Sequence, residues 1–169
     1  FHNQIGVPLT LARMPRETER AVFELGMNHA GEIAPLSQMV RPHAVAITTV
    51  GAVHTENFPD GEHGVAMAKA EIFAGLTPGG AAILNADNPW FDLLQAEAAK
   101  AGARVLSFGA AAGSDARLLG FAATGDGATV RAEFHARPLD IALLQTGAHW
   151  GPNSLIVLLM LESLGVDLD

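Results

Sequence analysis

The sequence contains no cysteine and only two lysines among its 169 residues. The lack of cysteine excludes a disulfide scaffold, thiolate catalysis and thiolate metal ligation, and it is typical of a cytoplasmic protein. Ten basic residues stand against eighteen acidic ones, which gives a formal charge of −8, and the basic residues are scattered singly. This distribution argues against a nucleic-acid partner, so an anionic ligand would need a local device such as a metal ion or a helix N-terminus.

Long hydrophobic runs and a signal peptide are also missing from the sequence. The longest apolar run, around Ser154–Leu161, is shorter than the roughly 18–20 residues of a membrane-spanning helix, so we expect no membrane partner. Hydrophobic residues make up 49% of the chain, enough for one domain with a sizeable core. Because the chain starts at Phe1 and ends at Asp169 directly after a helical pattern, we expect residues 1–169 to be one domain cut from a longer protein.

Apolar runs of strand length alternate with helical patterns through the first two thirds of the chain. The predicted strands are Arg20–Leu25, Ala44–Val50, Gly80–Leu84 and Arg104–Phe108, and the predicted helices are Gly31–Val40, Gly64–Leu76 and Pro89–Ala101. After Gly109 the pattern changes to three strands, Ala116–Ala122, Ala128–His135 and Leu139–Leu144, and a helix, Pro152–Leu164. We predict an α/β fold with a mostly parallel, Rossmann-like sheet flanked by helices and a small antiparallel meander toward the C-terminus.

Lys69 lies where a charged side chain is unexpected. In the predicted helix Gly64–Leu76 it shares an apolar stripe with Val65, Ile72, Phe73 and Leu76. Desolvation would lower the pKa of its ammonium and leave an amine able to form a Schiff base or to take up carbon dioxide as a carbamate. The alternative is a side chain whose methylenes cover the edge of the core while the ammonium stays in water.

Polar side chains follow three predicted strands at their carboxyl ends, where ligands gather in open α/β sheets. Glu24 closes the first strand and leads into the turn Gly26–Glu32, His54 follows the second strand, and Asn85 and Asp87 follow the third. A carboxylate, an imidazole and a neutral or modified lysine at adjacent strand ends would suit magnesium held with phosphate oxygens. Each also has a structural alternative: Glu24 could be buried at the strand end and accept backbone hydrogen bonds, His54 could be a surface or capping residue, and Asp87 could be a turn or helix-cap residue.

A further polar pair, His149 and Asn153, stands at the entrance to the last predicted helix. Asparagine at such a position is usually a cap, and the functional alternative has its amide facing a planar ligand. The patterns HExxH, GxSxG and GxxxxGK[ST] do not occur in the 169 residues. The segment Gly109–Gly113 is too short for a dinucleotide fingerprint, which disfavours a dinucleotide-dependent oxidoreductase.

Several longer words of the sequence resemble the central domain of the Mur ligase family. They occur in family order across nearly the whole chain: IGVPLTL (Ile5–Leu11), ELGMNHAGEI (Glu24–Ile33), ITTVGAVHTENF (Ile47–Phe58), AKAEIFAGL (Ala68–Leu76), ILNADNPWF (Ile83–Phe91) and RVLSFG (Arg104–Gly109). The ELG-NH-GEI block resembles the branch that adds D-alanyl-D-alanine to UDP-N-acetylmuramoyl-tripeptide in peptidoglycan synthesis. The partners implied by this resemblance are those two substrates.

The resemblance implies an ATP- and magnesium-dependent ligase. ATP phosphorylates the tripeptide carboxylate, the dipeptide amine attacks the acyl phosphate, and the tetrahedral intermediate collapses to the amide with release of phosphate. In the family pattern Glu24 matches a carboxylate that holds magnesium on the ATP phosphates, His54 matches a ligand of a second magnesium, and Lys69 matches a lysine carried as a carbamate. These three are the expected catalytic and metal-binding residues.

The resemblance also implies binding residues. The expected nucleotide contacts are Asn153, beside the adenine, with His149, Asn85 and Asp87. The expected substrate contacts are Asn28, His29 and Asn3.

The family places a glycine-rich ATP loop upstream of this region, and no such loop occurs in the chain. We therefore expect a fragment of the central domain that lacks its phosphate loop and is inactive alone, within a full-length protein that is an active ligase. The alternative is a non-catalytic scaffold that keeps the fold. Retention of Glu24, His54 and Lys69 together weighs against the scaffold.

Overall fold

The structure is a computed structural model that describes residues 2–52 and 55–168. Its strands are β1 (Ala44–Ile47), β2 (Ala81–Asn85), β3 (Arg104–Gly109), β4 (Ala116–Ala123), β5 (Ala128–Phe134) and β6 (Arg137–Leu143). They form one six-stranded sheet in the order β1-β2-β3-β4-β5-β6. Strands β1 to β4 pair in parallel and β4 to β6 pair antiparallel, which confirms the predicted α/β sheet with its meander.

Helices cover both faces of this sheet. The helices are α1 (Gly6–Arg13), α2 (Ile33–Val40), α3 (Glu62–Ala70), α4 (Phe91–Lys100) and α5 (Trp150–Ser163). Of these, α3 and α4 share a core with one face of the sheet and α5 with the other. Strand β2 shows how its apolar sequence serves two faces, because alternate side chains of a strand point to opposite sides. Ala82 and Leu84 join the core under α3 and α4, whereas Ala81 and Ile83 join the core under α5.

The prediction of a strand over Arg20–Leu25 is wrong. The segment is irregular in the structure, and Val22 is 94% exposed. An apolar run becomes a strand only when a neighbouring strand takes up its backbone hydrogen bonds, and within the described residues the ladder of β1 is formed with β2 alone. Local composition could not reveal the missing partner.

The helix predicted over Gly64–Leu76 is two elements. Helix α3 ends at Ala70, and Glu71–Gly75 continues as a 3-10 turn. The cause is a contact from α2: the Ser37 hydroxyl donates a hydrogen bond to the carbonyl of Ile72. The amide of Leu76, which would bind that carbonyl in an α-helix, binds the carbonyl of Phe73 instead at 3.2 Å.

Helix α1 is a structural element that the sequence analysis did not predict. The Oδ1 atom of Asn3 accepts hydrogen bonds from the amides of Ile5 (3.2 Å) and Gly6 (2.9 Å), as a side chain at a helix start commonly does. The remaining predicted helices and strands agree with the structure to within two residues at each end, except that β1 stops three residues early, at Ile47. None of the helices in the described part of the chain is long and apolar enough to cross a membrane.

Candidate nucleotide and metal site

The carboxyl ends of β1 and β2 are tied together by two asparagine side chains. The Nδ2 atom of Asn85 donates to the carbonyl of Thr48 at 3.3 Å, and the Nδ2 atom of Asn88 donates to the carbonyl of Val50 at 2.9 Å. These carbonyls belong to residues that were predicted to continue β1. The asparagine side chains bind them in place of the backbone amides of a neighbouring strand. Asn85 therefore has a structural role, and its contact with a nucleotide stays a prediction.

Asp87 ties the end of β3 to the same edge. Its Oδ2 accepts the amide of Ala110 at 2.7 Å and its Oδ1 accepts the amide of Ala111 at 2.8 Å. Gly109 permits this approach, because it has φ 139° and a Cβ built on it would lie 2.7 Å from Oδ2 of Asp87. Asp87 lies in a turn, as one alternative predicted, but it does not cap α4, since its carboxylate binds amides of the turn that follows β3. Its expected contact with a nucleotide stays a prediction.

The glycine turn that leads into α2 is organised by Glu32. Its carboxylate accepts the amides of Asn28 at 2.7 Å and His29 at 3.3 Å, and it contacts the His29 ring nitrogen Nδ1 at 3.3 Å. These backbone hydrogen bonds hold the pKa of the Glu32 carboxyl below its usual value because they favour the charged form. The side chains of Asn28 and His29 are exposed on this ordered turn, and their contact with substrate stays a prediction.

Lys69 lies on α3 against apolar neighbours, as the stripe predicted. Val65 and Phe73 are buried and Ile72 packs against the same core, while Lys69 itself is half-buried. Burial lowers the pKa of the Lys69 ammonium because the charged form is the one that loses hydration. Burial therefore raises the neutral fraction of the Lys69 amine above that of a fully exposed lysine.

Glu24 differs from the predicted strand-end carboxylate in its surroundings. Its side chain is 86% exposed, and its Oε1 lies 4.0 Å from Nδ1 of His2. The alternative of a buried Glu24 is wrong, because the segment that carries it forms no strand. His54 lies outside the described residues, and in the described ranges no three acidic or histidine side chains converge as metal ligands.

The start of α5 carries the other predicted nucleotide residues. His149 immediately precedes the helix, and its ring lies 5.3 Å from that of Trp150, measured between centroids. Asn153 lies in the first turns rather than at the cap, and no side-chain cap bond is present at this helix start. Gly151 packs on Leu118 and Phe121 of β4. Strand β4 pairs with the last two residues of β3 and then extends past the end of β3. Because Gly151 packs on this extension, the start of α5 lies beyond the carboxyl edge of the parallel strands.

Two further residues have roles that the sequence analysis did not identify. Glu71 binds backbone amides at the start of α2, and Ser37 joins α2 to the 3-10 turn. Both act across more than thirty positions of sequence, so only a fold could reveal them.

Comparison with known proteins agrees with this arrangement. Residues 1–161 match the family model described as the Mur ligase middle domain. Among curated proteins, the chain is 38% identical over 170 residues to the UDP-N-acetylmuramoyl-tripeptide--D-alanyl-D-alanine ligase of Escherichia coli, covering 100% of this chain and 37% of that protein. The ligase of the same name from Rickettsia prowazekii is 32% identical over 170 residues, covering 100% of this chain and 38% of the relative.

Solved structures show the same likeness. MurF from Acinetobacter baumannii superposes with a TM-score of 0.89 at 29% identity, over 99% of this chain and 36% of that one. The fold is also that of the MurF ligase from Thermotoga maritima in complex with ADP, with a TM-score of 0.83 at 21% identity over 97% and 37% of the two chains. The chain thus spans a little over a third of the length of the curated relatives it matches. It belongs to the Mur ligase family, whose middle domain its residues 1–161 match.

Proposed function

We propose that the full-length protein is an ATP-dependent ligase that joins D-alanyl-D-alanine to UDP-N-acetylmuramoyl-tripeptide in peptidoglycan synthesis. The observation that carries this proposal is the match of the whole chain to ligases of that name, at 38% identity over 170 residues. Glu24, Lys69 and Asn153 stand at the positions where the family pattern has working residues. The GxxxxGK[ST] pattern that cradles ATP phosphates does not occur in these 169 residues, so activity is proposed for the full-length protein.

The proposed reaction has two steps. The carboxylate of the tripeptide attacks the terminal phosphorus of ATP, forming an acyl phosphate and releasing ADP. The dipeptide amine then attacks the acyl carbon, a proton leaves to solvent, and collapse of the tetrahedral intermediate breaks the bond to phosphate. Magnesium would supply electrostatic stabilisation of the phosphoryl oxygens in such a transfer.

The donor chemistry of the chain fits magnesium. This cation prefers hard oxygen ligands, and Glu24 presents an exposed carboxylate, whereas the carboxylates of Glu32 and Asp87 are taken by backbone amides. Glu24 would hold the magnesium ion on the ATP phosphates, whereas His54 would hold a second magnesium ion near a carbamate on Lys69. Burial supports the carbamate by raising the neutral fraction of the Lys69 amine.

The proposed nucleotide contacts lie at the carboxyl edge of the sheet. Asn85 and Asp87 hold the strand ends in one rigid edge, and we propose that this edge and the α5 start receive the nucleotide. Asn153 and His149 would contact the adenine there. Asn28, His29 and Asn3 are the proposed contacts to the UDP-linked peptide.

The test is turnover by the full-length protein. We expect ADP release that requires both UDP-N-acetylmuramoyl-tripeptide and D-alanyl-D-alanine, with the amide product identified by mass spectrometry. Lys69→Met should lower kcat by about a hundredfold or more, because loss of one group that stabilises transition-state charge costs about that much. Lys100→Met is the matched control, since it changes the other lysine, which is exposed and pairs with Glu97 on α4.

Two outcomes would contradict the proposal. A folded full-length protein that releases no ADP with these substrates would favour the scaffold alternative. Full activity in both Lys69→Met and Glu24→Gln would show that the family pattern does not describe this site. A carbamate on Lys69 can be detected separately from turnover. After incubation of the protein with carbon-13-labelled bicarbonate, we expect a carbamate carbonyl resonance in the carbon-13 NMR spectrum of the wild type that is absent from the spectrum of Lys69→Met.

A further inference from the structure

The carboxylate of Glu71 lies at the N-terminus of α2. Its Oε1 accepts the amide of Gly31 at 2.6 Å, and its Oε2 accepts the amides of Ile33 at 3.1 Å and Ala34 at 3.2 Å. The first amides of a helix have no partner within the helix and carry the positive end of its dipole. Glu71 supplies both the acceptors and the negative charge, so this helix start is already occupied by the protein's own anion.

A second contact joins the same two elements at a different level. The Ser37 hydroxyl of α2 donates to the carbonyl of Ile72 and accepts the amide of Gly75 at 3.1 Å. Gly75 lies so close to α2 that a Cβ built on it would be 2.0 Å from the carbonyl oxygen of Ser37. Ser37 therefore joins the middle of α2 to the 3-10 turn, whereas Glu71 binds the first residues of α2 and Gly31 in the turn that precedes it.

The turn itself is ordered from both sides. Glu32 binds the amides of Asn28 and His29 from within the turn, and Glu71 binds Gly31 from the element that follows α3. A cleft of about 350 Å³ separates the turn from α3. Its lining includes Ala30 of the turn, Asp60, His63 and Met67 opposite, and Glu71.

We propose that Glu71 is a positioning residue for the UDP-linked peptide substrate. It fixes the Asn28–Glu32 turn at a set position beside the helix that carries Lys69, so that the turn meets the substrate already ordered. The proposal rests on the function proposed above, in which Asn28 and His29 contact that substrate. Without the Glu71 contact the turn would have to become ordered when the substrate binds, and the entropy cost of that ordering would weaken substrate binding.

Glu71→Gln in the full-length protein tests this role. An amide has one oxygen, and its NH2 group would face backbone N–H donors, so the variant loses acceptors without a change of size. We expect KM for UDP-N-acetylmuramoyl-tripeptide to rise by about tenfold, the effect of one or two lost hydrogen bonds, while KM for ATP and kcat stay within about threefold. Hydrogen exchange of the Gly31–Ala34 amides should accelerate by about tenfold or more, a readout independent of turnover.

Ser37→Ala is the matched control, because it removes hydrogen bonds between the same elements without touching the turn. We expect it to lower Tm and to leave KM for the UDP-linked substrate unchanged. Glu71→Asp, which keeps the charge but shortens the reach, serves if Glu71→Gln yields no folded protein, and it should raise the same KM by a smaller factor.

The outcomes separate the two proposals. If the wild-type protein turns over and the folded Glu71 variants lower Tm while keeping the wild-type KM, Glu71 only supports the fold and its positioning role is wrong. If the wild-type protein shows no turnover, the proposed function fails and the substrate role of Glu71 fails with it, while the exchange measurement still reports whether Glu71 orders the turn.

Discussion

Asp87→Ala should destabilise the chain even when no nucleotide is present. The variant removes the two hydrogen bonds that the Asp87 carboxylate makes to the turn after β3, from the amides of Ala110 (2.7 Å) and Ala111 (2.8 Å). Hydrogen bonds to charged groups contribute about 1.5–3 kcal/mol each, but Asp87 is exposed and water can replace it at the amides, so about 1 kcal/mol per bond is the appropriate figure. The expected loss in the free energy of unfolding is therefore about 2 kcal/mol, and Asp87→Asn, which keeps one acceptor oxygen, should lose about half of that.

The assay is urea unfolding of the 169-residue chain followed by circular dichroism, with thermal melts alongside. For a chain of this size, 2 kcal/mol corresponds to a decrease in Tm of about 4–8 °C. The control is Glu97→Ala, which removes a 2.6 Å contact between Glu97 and Lys100 on the surface of α4. Because an ion pair one turn apart on a helix contributes about 0.3–0.5 kcal/mol, this control should change Tm by no more than about 2 °C. A loss in Asp87→Ala no larger than in the control would refute the structural role of the carboxylate.

Three other predictions address the lysine, the close helix contact and the nucleotide. Because burial lowers the pKa of Lys69, the folded state binds fewer protons than the unfolded state between that lowered value and 10.5, so wild-type stability should rise with pH across this window. Lys69→Met removes this pH dependence. The Tm of the variant should exceed that of the wild type most at neutral pH, and the difference should shrink toward pH 10.5; a difference in Tm that does not change with pH would contradict the lowered pKa. Gly75→Ala should cost about 3 kcal/mol in urea because its Cβ would meet the Ser37 backbone, whereas Gly79→Ala, with φ 73° and open space, should cost about 1–2 kcal/mol. Asn153→Ala in the full-length protein should raise KM for ATP by about tenfold with little change in Tm, and an unchanged KM would remove it from the nucleotide site.

The sequence predicted those elements whose signals are local. The alternation of apolar runs and helical patterns predicted the parallel part of the sheet. The short turns after Gly109 predicted the antiparallel meander that β4, β5 and β6 form. The end of α4 was also readable, because Gly102 follows it at φ 73°, a conformation that suits glycine. Such signals depend on residues that are neighbours in the chain, so they can be read from the sequence without knowledge of the fold.

The errors concern elements that depend on distant partners. Arg20–Leu25 has the composition of a strand but no neighbouring strand in the described chain, and its Val22 is 94% exposed. The helix after Gly64 changes to a 3-10 turn because Ser37, on another helix, binds the carbonyl of Ile72. Periodicity reveals neither the missing strand neighbour of the first segment nor the Ser37 contact of the second, since both depend on how distant parts of the chain pack.

The sequence predicted the carboxylates of Glu24 and Asp87 at strand ends, and the structure distinguishes the carboxylates of this region by the partners that each one binds. Glu32, Glu71 and Asp87 bind backbone amides, which leaves few oxygen lone pairs for a metal ion. Glu24 presents an exposed carboxylate beside His2 and contributes no such backbone contact among the described residues. Variants of the first three should therefore lower stability in the absence of any ligand, whereas Glu24→Gln should leave the stability of the chain nearly unchanged and act on magnesium-dependent turnover alone. A carboxylate in this region is thus a candidate metal ligand only after its backbone partners have been counted, and in the described part of this site that count favours Glu24.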